Sequence, residues 1–205
     1  VTTNKVHWTG NPSYQVESKE KISKASALRE FGLHQKLPVL LVVGGGTGSK
    51  ALNDFVVQNL AQLTKVVQIL HSTGSRMHKP VEHENYHSHE FIHNMAAAYE
   101  ASDIVLSRAG LGSLTDLAHH KKPAIIVPMP DTHQEDNAAL LYHMHAAIVI
   151  DQQDLSPDKL LATVRELLFK PELVKEFTSN LRKIFPENAA KKIYTLQEQY
   201  LTEHE

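Results

Sequence analysis

The stretch 39-VLLVVGGGTGSKALNDF-55 restricts the fold more than any other part of the chain. Five consecutive apolar residues, with no polar alternation, fit a strand covered on both faces. Glycines follow at once, and a helical pattern begins at Ser49. A strand that turns through glycine into a helix is also a candidate anion site. Backbone N–H groups point outward there, and the helix dipole adds roughly half a positive charge. Glycine lets a phosphate approach where a side chain would block it. A tight turn that only packs the helix onto the sheet has the same sequence, so the loop alone leaves both readings open.

The rest of the chain extends the pattern. Strands are predicted at 39–43, 66–70, 90–92, 104–107, 124–127 and 148–150. Helices are predicted at 49–63, 95–101, 113–119, 134–143 and 157–169, with two more near 172–184 and 188–200. Strands alternating with helices give an α/β fold, a Rossmann-like open parallel sheet with helices on both faces. Pro123 and Pro128 bracket one apolar run and set its ends. Asp154 or Ser156 can cap the helix that follows, with Pro157 in its first turn. Residues 37–205 form the expected domain. Residues 1–36, with a helical stretch near 23–31, read as a connector and entry to it. A length of 205 residues suits one domain.

Composition removes several function classes. With 21 basic and 23 acidic side chains there is no basic footprint, and nucleic acid is not an expected partner. The absence of cysteine excludes disulfides and thiolate metal sites. No apolar run approaches the ~18 to 20 residues that cross a bilayer. The start, 1-VTTNKVHWTGNP-12, lacks Met and is expected to be the middle of a longer chain. Histidines cluster in 83-HENYHSHEFIH-93 without HExxH spacing. They read as solvated loop histidines, with a weak metal site as the alternative.

The common nucleotide motifs do not fit. A P-loop requires G-x-x-x-x-G-K-[ST], and here Ser49 precedes Lys50. A dinucleotide fold places an acid at the end of the second strand, where this chain has 69-ILHSTG-74. A dehydrogenase is therefore the weakest reading. A second strand–glycine–helix unit, 104-IVLSRAGLGSLTDL-117, supplies Gly110 and Gly112, the hydroxyls of Ser113 and Thr115, and Asp116. Asp116 is expected in the first helical turn, where the dipole favours a carboxylate. It could accept both hydrogen bonds of a ribose diol, or only stabilise its helix end. A third element, 128-PMPDTHQEDNAAL-140, offers His133, Gln134 and Asn137 for sugar hydroxyls, or only a capped polar loop. Loops at the carboxyl ends of parallel strands face one crevice.

Several separated motifs, taken in order, resemble the MurG family of UDP-N-acetylglucosamine transferases. They are GNP, LPVLLVVGGGTGSKALN, EFIHNMAAAYEASDIVLSRAGLGSLTDL and KKPAIIVPMPDTHQEDNAALL. The resemblance runs from about Thr9 to the last helix and covers only the carboxyl-terminal half of that family. It implies a GT-B architecture, two Rossmann-like domains across a cleft, with this half holding the UDP-N-acetylglucosamine donor. The other half would bring the lipid-linked acceptor, the catalytic base and a membrane-docking surface. No catalytic residue is therefore expected in this chain, which alone would be inactive. The full-length enzyme would be cytoplasmic and peripheral to the inner face of the cell membrane.

Carried over by position, Gly45, Gly46 and Thr47 would approach the donor phosphates. Phe91, Ile92 and Met95 would meet the uracil. Leu111, Gly112, Ser113, Leu114, Thr115 and Asp116 would surround the phosphates and ribose, with Arg108 and Gly110 matching beside them. His133 and Gln134 would read the N-acetylglucosamine hydroxyls, followed by Asn137. Three positions depart from the family. Tyr14 stands where an Arg is usual, and a phenol does not replace a guanidinium for an anion. Asp116 stands for Glu, shorter by about 1.5 Å, and Gly46 stands where a hydroxyl residue is frequent. The resemblance implies no cofactor and no required metal. Two further readings stay open: a stand-alone donor-binding subunit of a split transferase, and a glycolipid synthase with another acceptor.

Overall fold

A computed structural model of the chain describes residues 6–12, 22–76 and 81–202. Six strands form one sheet: β1 (Val39–Val43), β2 (Gln68–Ser72), β3 (Tyr86–His89), β4 (Ile104–Ser107), β5 (Ala124–Ile126) and β6 (Ile148–Val149). Every pairing is parallel, and the spatial order is β3-β2-β1-β4-β5-β6. The chain leaves β1 toward one edge and returns at β4 to build the other. The order therefore reverses between β1 and β4, and crevices of this kind open at the carboxyl ends of such strands.

Helices cover both faces. Val39, Leu41 and Val43 of β1 join one core with α1 (Lys24–Glu30), α4 (Met95–Ala101), α5 (Leu111–His120), α6 (Gln134–His143) and part of α8 (Pro171–Ile184). Leu40 and Val42 point the other way, against α2 (Lys50–Gln58), α3 (Leu60–Leu63) and α7 (Pro157–Phe169). This period of two, apolar in both phases, explains the unbroken run of β1. The last helix, α9 (Ala189–Thr202), buries only Ala189.

Local sequence sets several boundaries. Ser156 caps α7 by accepting from the Lys159 N–H, with Pro157 as the first helical residue, while Asp154 lies in a preceding 3-10 turn. The segment expected as a connector contributes α1, whose Ala27 and Leu28 lie in the core with the following Phe31 and Leu33. Tyr14 lies outside the described residues. No described helix is long and apolar enough to cross a membrane.

Three expectations are corrected. The helix expected at 49–63 breaks at Asn59, whose side-chain amide donates to the Phe55 carbonyl at 2.7 Å. The second strand begins at Gln68, because Val66 and Val67 close a turn on the Leu63 carbonyl. The third strand is Tyr86–His89 and not 90–92. An edge strand has a neighbour on one side only, so it can be polar. Three histidines of the expected loop cluster therefore lie in or beside a strand. His87 and His89 belong to β3, and the His83 ring accepts from the Asn85 N–H. Among the described residues, no group of three or more His, Asp or Glu is arranged to hold a metal ion.

β2 also carries a buried polar chain. The His71 ring lies 3.0 Å from the Asn53 side-chain oxygen and 2.9 Å from the Tyr86 hydroxyl. Asn53 in turn donates to the Thr73 carbonyl at 2.9 Å. Burial lowers the His71 pKa from 6.5 to about 4. The unfolded chain therefore takes up a proton first as the pH falls. Stability should be complete above pH 6.5 and decline toward pH 4, by about 3 kcal/mol from this residue. Urea titrations at stepped pH should show this decline, and His71→Gln should flatten that part of the slope.

Candidate functional site

A cavity of about 410 Å³ opens at the sheet's reversal point. One wall is the end of β1, from Val43 to Gly45 and Gly46, with Ser72 from the end of β2. The opposite wall is the start of α5, with Gly110, Gly112, Ser113 and Asp116. Phe91 and Ile92, from the turn after β3, close a third side with Met95 and Tyr99 of α4. Residues separated by up to 73 positions, Val43 to Asp116, thus meet because four parallel strands, β3, β2, β1 and β4, end side by side.

The glycines divide into two kinds. A side chain at Gly48 would lie 1.9 Å from the Thr73 carbonyl oxygen, and one at Gly74 would lie 2.4 Å from Thr47 and Gly48 backbone atoms. One at Gly44 would lie 2.4 Å from the Ser49 nitrogen. The protein's own packing explains these three. At Gly45, Gly46, Gly110 and Gly112 a side chain would meet nothing within 4 Å. Gly45 has φ +93°, which itself favours glycine. Nothing in the fold explains Gly46, Gly110 or Gly112, and all three border the cavity.

The two helix starts also differ. The Ser49 hydroxyl caps α2 by accepting from the Leu52 N–H, and the Gly48 N–H donates to the Gly45 carbonyl at 3.0 Å. That end has a side-chain cap. Thr47 is exposed and lies outside the cavity wall. α5 begins at Gly110 with no side-chain cap. Its first-turn N–H groups have no partner within the helix, and Gly112 and Ser113 of that turn border the cavity. Anion-binding capacity therefore rests on the second glycine loop more than the first.

Asp116 is the sixth residue of α5 and not, as expected, in its first turn. The dipole does not hold it there. Burial pushes its carboxyl above the usual range, and His119 partly opposes this. No described residue hydrogen-bonds or ion-pairs with this half-buried carboxylate, which faces the cavity. On the neighbouring wall Ile92 is buried and Phe91 is 56% exposed. No described backbone group bonds the Ile92 amide or carbonyl, which leaves both free to read a flat polar edge.

Other expected site residues turn away. Arg108 is 6% exposed and holds four groups: the Ser49 hydroxyl at 3.1 Å, the Val127 and Pro128 carbonyls at 3.0 and 2.9 Å, and the Gln152 side chain at 2.6 Å. It ties the loops behind the cavity together. Leu114 is 1% exposed and belongs to the core. The Thr115 hydroxyl donates to the Leu111 carbonyl and accepts from Asn11, both at 2.8 Å. Leu111 is exposed and, with Asn137, borders a separate groove beneath Trp8.

The third loop is not part of this cavity. His133 is exposed at the start of α6, the Gln134 oxygen accepts from the Met129 N–H at 3.1 Å, and Asn137 donates to the Ala109 carbonyl at 2.9 Å. Val43, Ser72 and Tyr99 line the cavity without having been expected there. Ser72 follows from the strand-end rule once β2 is extended to it. Tyr99 stands one turn after Met95, on the same helix face.

A substitution separates the ligand reading of the open glycines from a purely architectural one. Gly110→Ser supplies α5 with the cap it lacks, so the melting temperature should hold or rise slightly. The new hydroxyl would also take an N–H and fill the open space. UDP affinity measured by calorimetry should then fall about tenfold or more, the loss of one hydrogen bond to a charged group.

The family model for the glycosyltransferase family 28 C-terminal domain matches residues 39–195. The UDP-N-acetylglucosamine–N-acetylmuramyl-(pentapeptide) pyrophosphoryl-undecaprenol N-acetylglucosamine transferase of Bacteroides fragilis is 33% identical, over 96% of this chain and 56% of its own length. The enzyme of the same name from Aquifex aeolicus is 31% identical, over 87% of this chain and 53% of its own. Among solved structures, MurG from Acinetobacter baumannii is similar with a TM-score of 0.64 at 27% identity, covering 88% of this chain and 54% of that one. A glycosyltransferase of kitacinnamycin shares the fold with a TM-score of 0.68 at 20% identity, covering 92% of this chain and 47% of that one. The chain spans about half the length of the curated relatives it matches.

Proposed function

The chain belongs to the glycosyltransferase family 28 C-terminal domains, and from that premise we propose that it is the donor-binding half of an inverting transferase. The donor is UDP-N-acetylglucosamine. The acceptor is the lipid-linked muramyl pentapeptide, so that the whole enzyme converts lipid I to lipid II in peptidoglycan synthesis. The acceptor site, the catalytic base and the contact with the membrane surface belong to the other half of the enzyme. One observation supports the donor role most directly. Glycines that the fold does not require surround an unpartnered carboxylate and an uncapped helix start.

In this reading the acceptor C4 hydroxyl gives its proton to the base of the other half and attacks C1 of the donor from the face opposite the leaving group. The C1–O bond to the diphosphate breaks, the configuration inverts, and UDP departs with added negative charge. The first-turn N–H groups of α5 stabilise that charge, because they are fixed before the reaction begins. Asp116 accepts from the ribose hydroxyls. The Ile92 backbone reads the uracil edge, with Phe91 and Met95 flanking the ring. His133 and Gln134, outside the cavity, are assigned in this reading to the transferred sugar, while Asn137 holds the Ala109 carbonyl behind them.

Such stabilisation of the leaving group by N–H groups requires no metal. Thermal melts with UDP-N-acetylglucosamine, UDP, UDP-glucose and NAD test the proposal. The uridine series should raise the midpoint, with the same shift at zero and millimolar Mg²⁺, and NAD should leave it flat. A shift from NAD alone overturns the donor assignment. A strict Mg²⁺ requirement overturns the metal-free mechanism.

A further inference from the structure

Tyr99 is the largest of the fully buried side chains, at 1% exposure. It lies on α4 one turn after Met95, and its ring stacks on His120 of α5 with centroids 4.6 Å apart and planes 19° apart. The ring is thus fixed from one side. The hydroxyl is another matter, because it makes no hydrogen bond with any described residue. Tyr99 is one of the residues that line the cavity, and its phenol lies close enough to Asp116 to feel that charge.

Asp116 lines the same cavity, also without a hydrogen bond to any described residue. Burial, and then the nearby Asp116 charge, push the Tyr99 phenol well above its ordinary range, so it stays a neutral O–H donor. A donor and an acceptor share one small cavity and do not bond each other. Packing against His120 needs only the ring, which phenylalanine would supply. A buried phenol left unanswered is destabilising.

We propose that Tyr99 is a specificity-determining residue of this cavity: its O–H donates to the oxygen of a ligand hydroxyl whose own O–H donates to the Asp116 carboxylate. A hydroxyl both accepts and donates, so this pair fits it and fits neither a bare carbonyl nor an ether. The inference rests on the donor-site reading above, in which that hydroxyl is one of the two on the nucleotide ribose. With Tyr99 engaged, the sugar is held from two sides and not by one carboxylate alone.

Calorimetry on the chain and on Tyr99→Phe, with UDP, 2′-deoxy-UDP and 3′-deoxy-UDP, tests this. The substitution keeps the ring and its stacking. UDP should bind the variant about 3- to 10-fold more weakly, as expected for one neutral hydrogen bond. One of the two deoxy nucleotides should bind both proteins equally, because its missing hydroxyl is the one Tyr99 touches. The variant without nucleotide should melt no lower than the parent. Equal UDP affinity for both proteins overturns the inference, and so does an equal loss for all three nucleotides, which would mean repacking. If the parent chain binds no UDP, the donor-site reading falls and takes this inference with it.

Discussion

Asp116→Ala should lower UDP affinity about 10- to 100-fold, since it removes hydrogen bonds to a charged acceptor. The melting temperature without nucleotide should hold or rise. Those opposite directions come from one feature. The carboxylate is half buried, no described residue hydrogen-bonds it, and His119 offsets its burial only in part, so the empty protein bears a desolvation cost that a ligand would relieve further. Were Asp116 an element of the fold, its loss would instead lower the midpoint. Isothermal titration with UDP and a parallel melt on the same sample measure both quantities. Unchanged affinity in a folded Asp116→Ala chain would remove the ribose role. Asp116→Asn should sit between parent and alanine, because an amide oxygen still accepts but carries no charge.

Arg108→Ala should have the largest effect on stability. Its guanidinium donates to four groups from three separate segments: Ser49, the 127–128 turn and Gln152. Alanine leaves the Val127 and Pro128 carbonyls without that donor, and each buried unsatisfied group costs about 1–3 kcal/mol. A loss of about 3–5 kcal/mol follows, which in a chain of this size corresponds to a fall of about 6–20 °C in the midpoint. Lysine should not rescue it, because a single ammonium cannot reproduce the planar fork that spans these partners. A midpoint within about 2 °C of the parent would show that the loops hold together without it. UDP binding in any folded fraction should be weakened only indirectly, since Arg108 faces away from the cavity.

The sequence made the strong periodic elements legible. The ends of β1 and β4, and of α4, α6 and α7, agree with the expected ones, because unbroken apolar runs and local caps such as Ser156–Pro157 set them. β3 was not legible where it lies, since an edge strand of Tyr, His and Ser carries no buried run. The end of β2 was hidden because His71 and Ser72 are polar and still buried, the former satisfied by Asn53 and Tyr86.

The site was readable as motifs but not as faces. In 108-RAGLGSLTD-116 the glycines, Ser113 and Asp116 border the cavity, whereas Arg108, Leu114 and Thr115 turn inward. A linear motif contains no record of how a helix rolls against its sheet. The same limit hid Tyr99, which reaches the cavity only because α4 lies against α5 through His120.

The contrast among the loop glycines has a bearing on how such a domain would change over generations. Selection for an intact, protease-resistant chain alone would retain Gly48 and Gly74, where any other residue collides with backbone. Gly46, Gly110 and Gly112 would be released to vary, since open space surrounds them. A lineage that had given up its nucleotide would be expected to betray it at those three positions first, long before its architecture decayed.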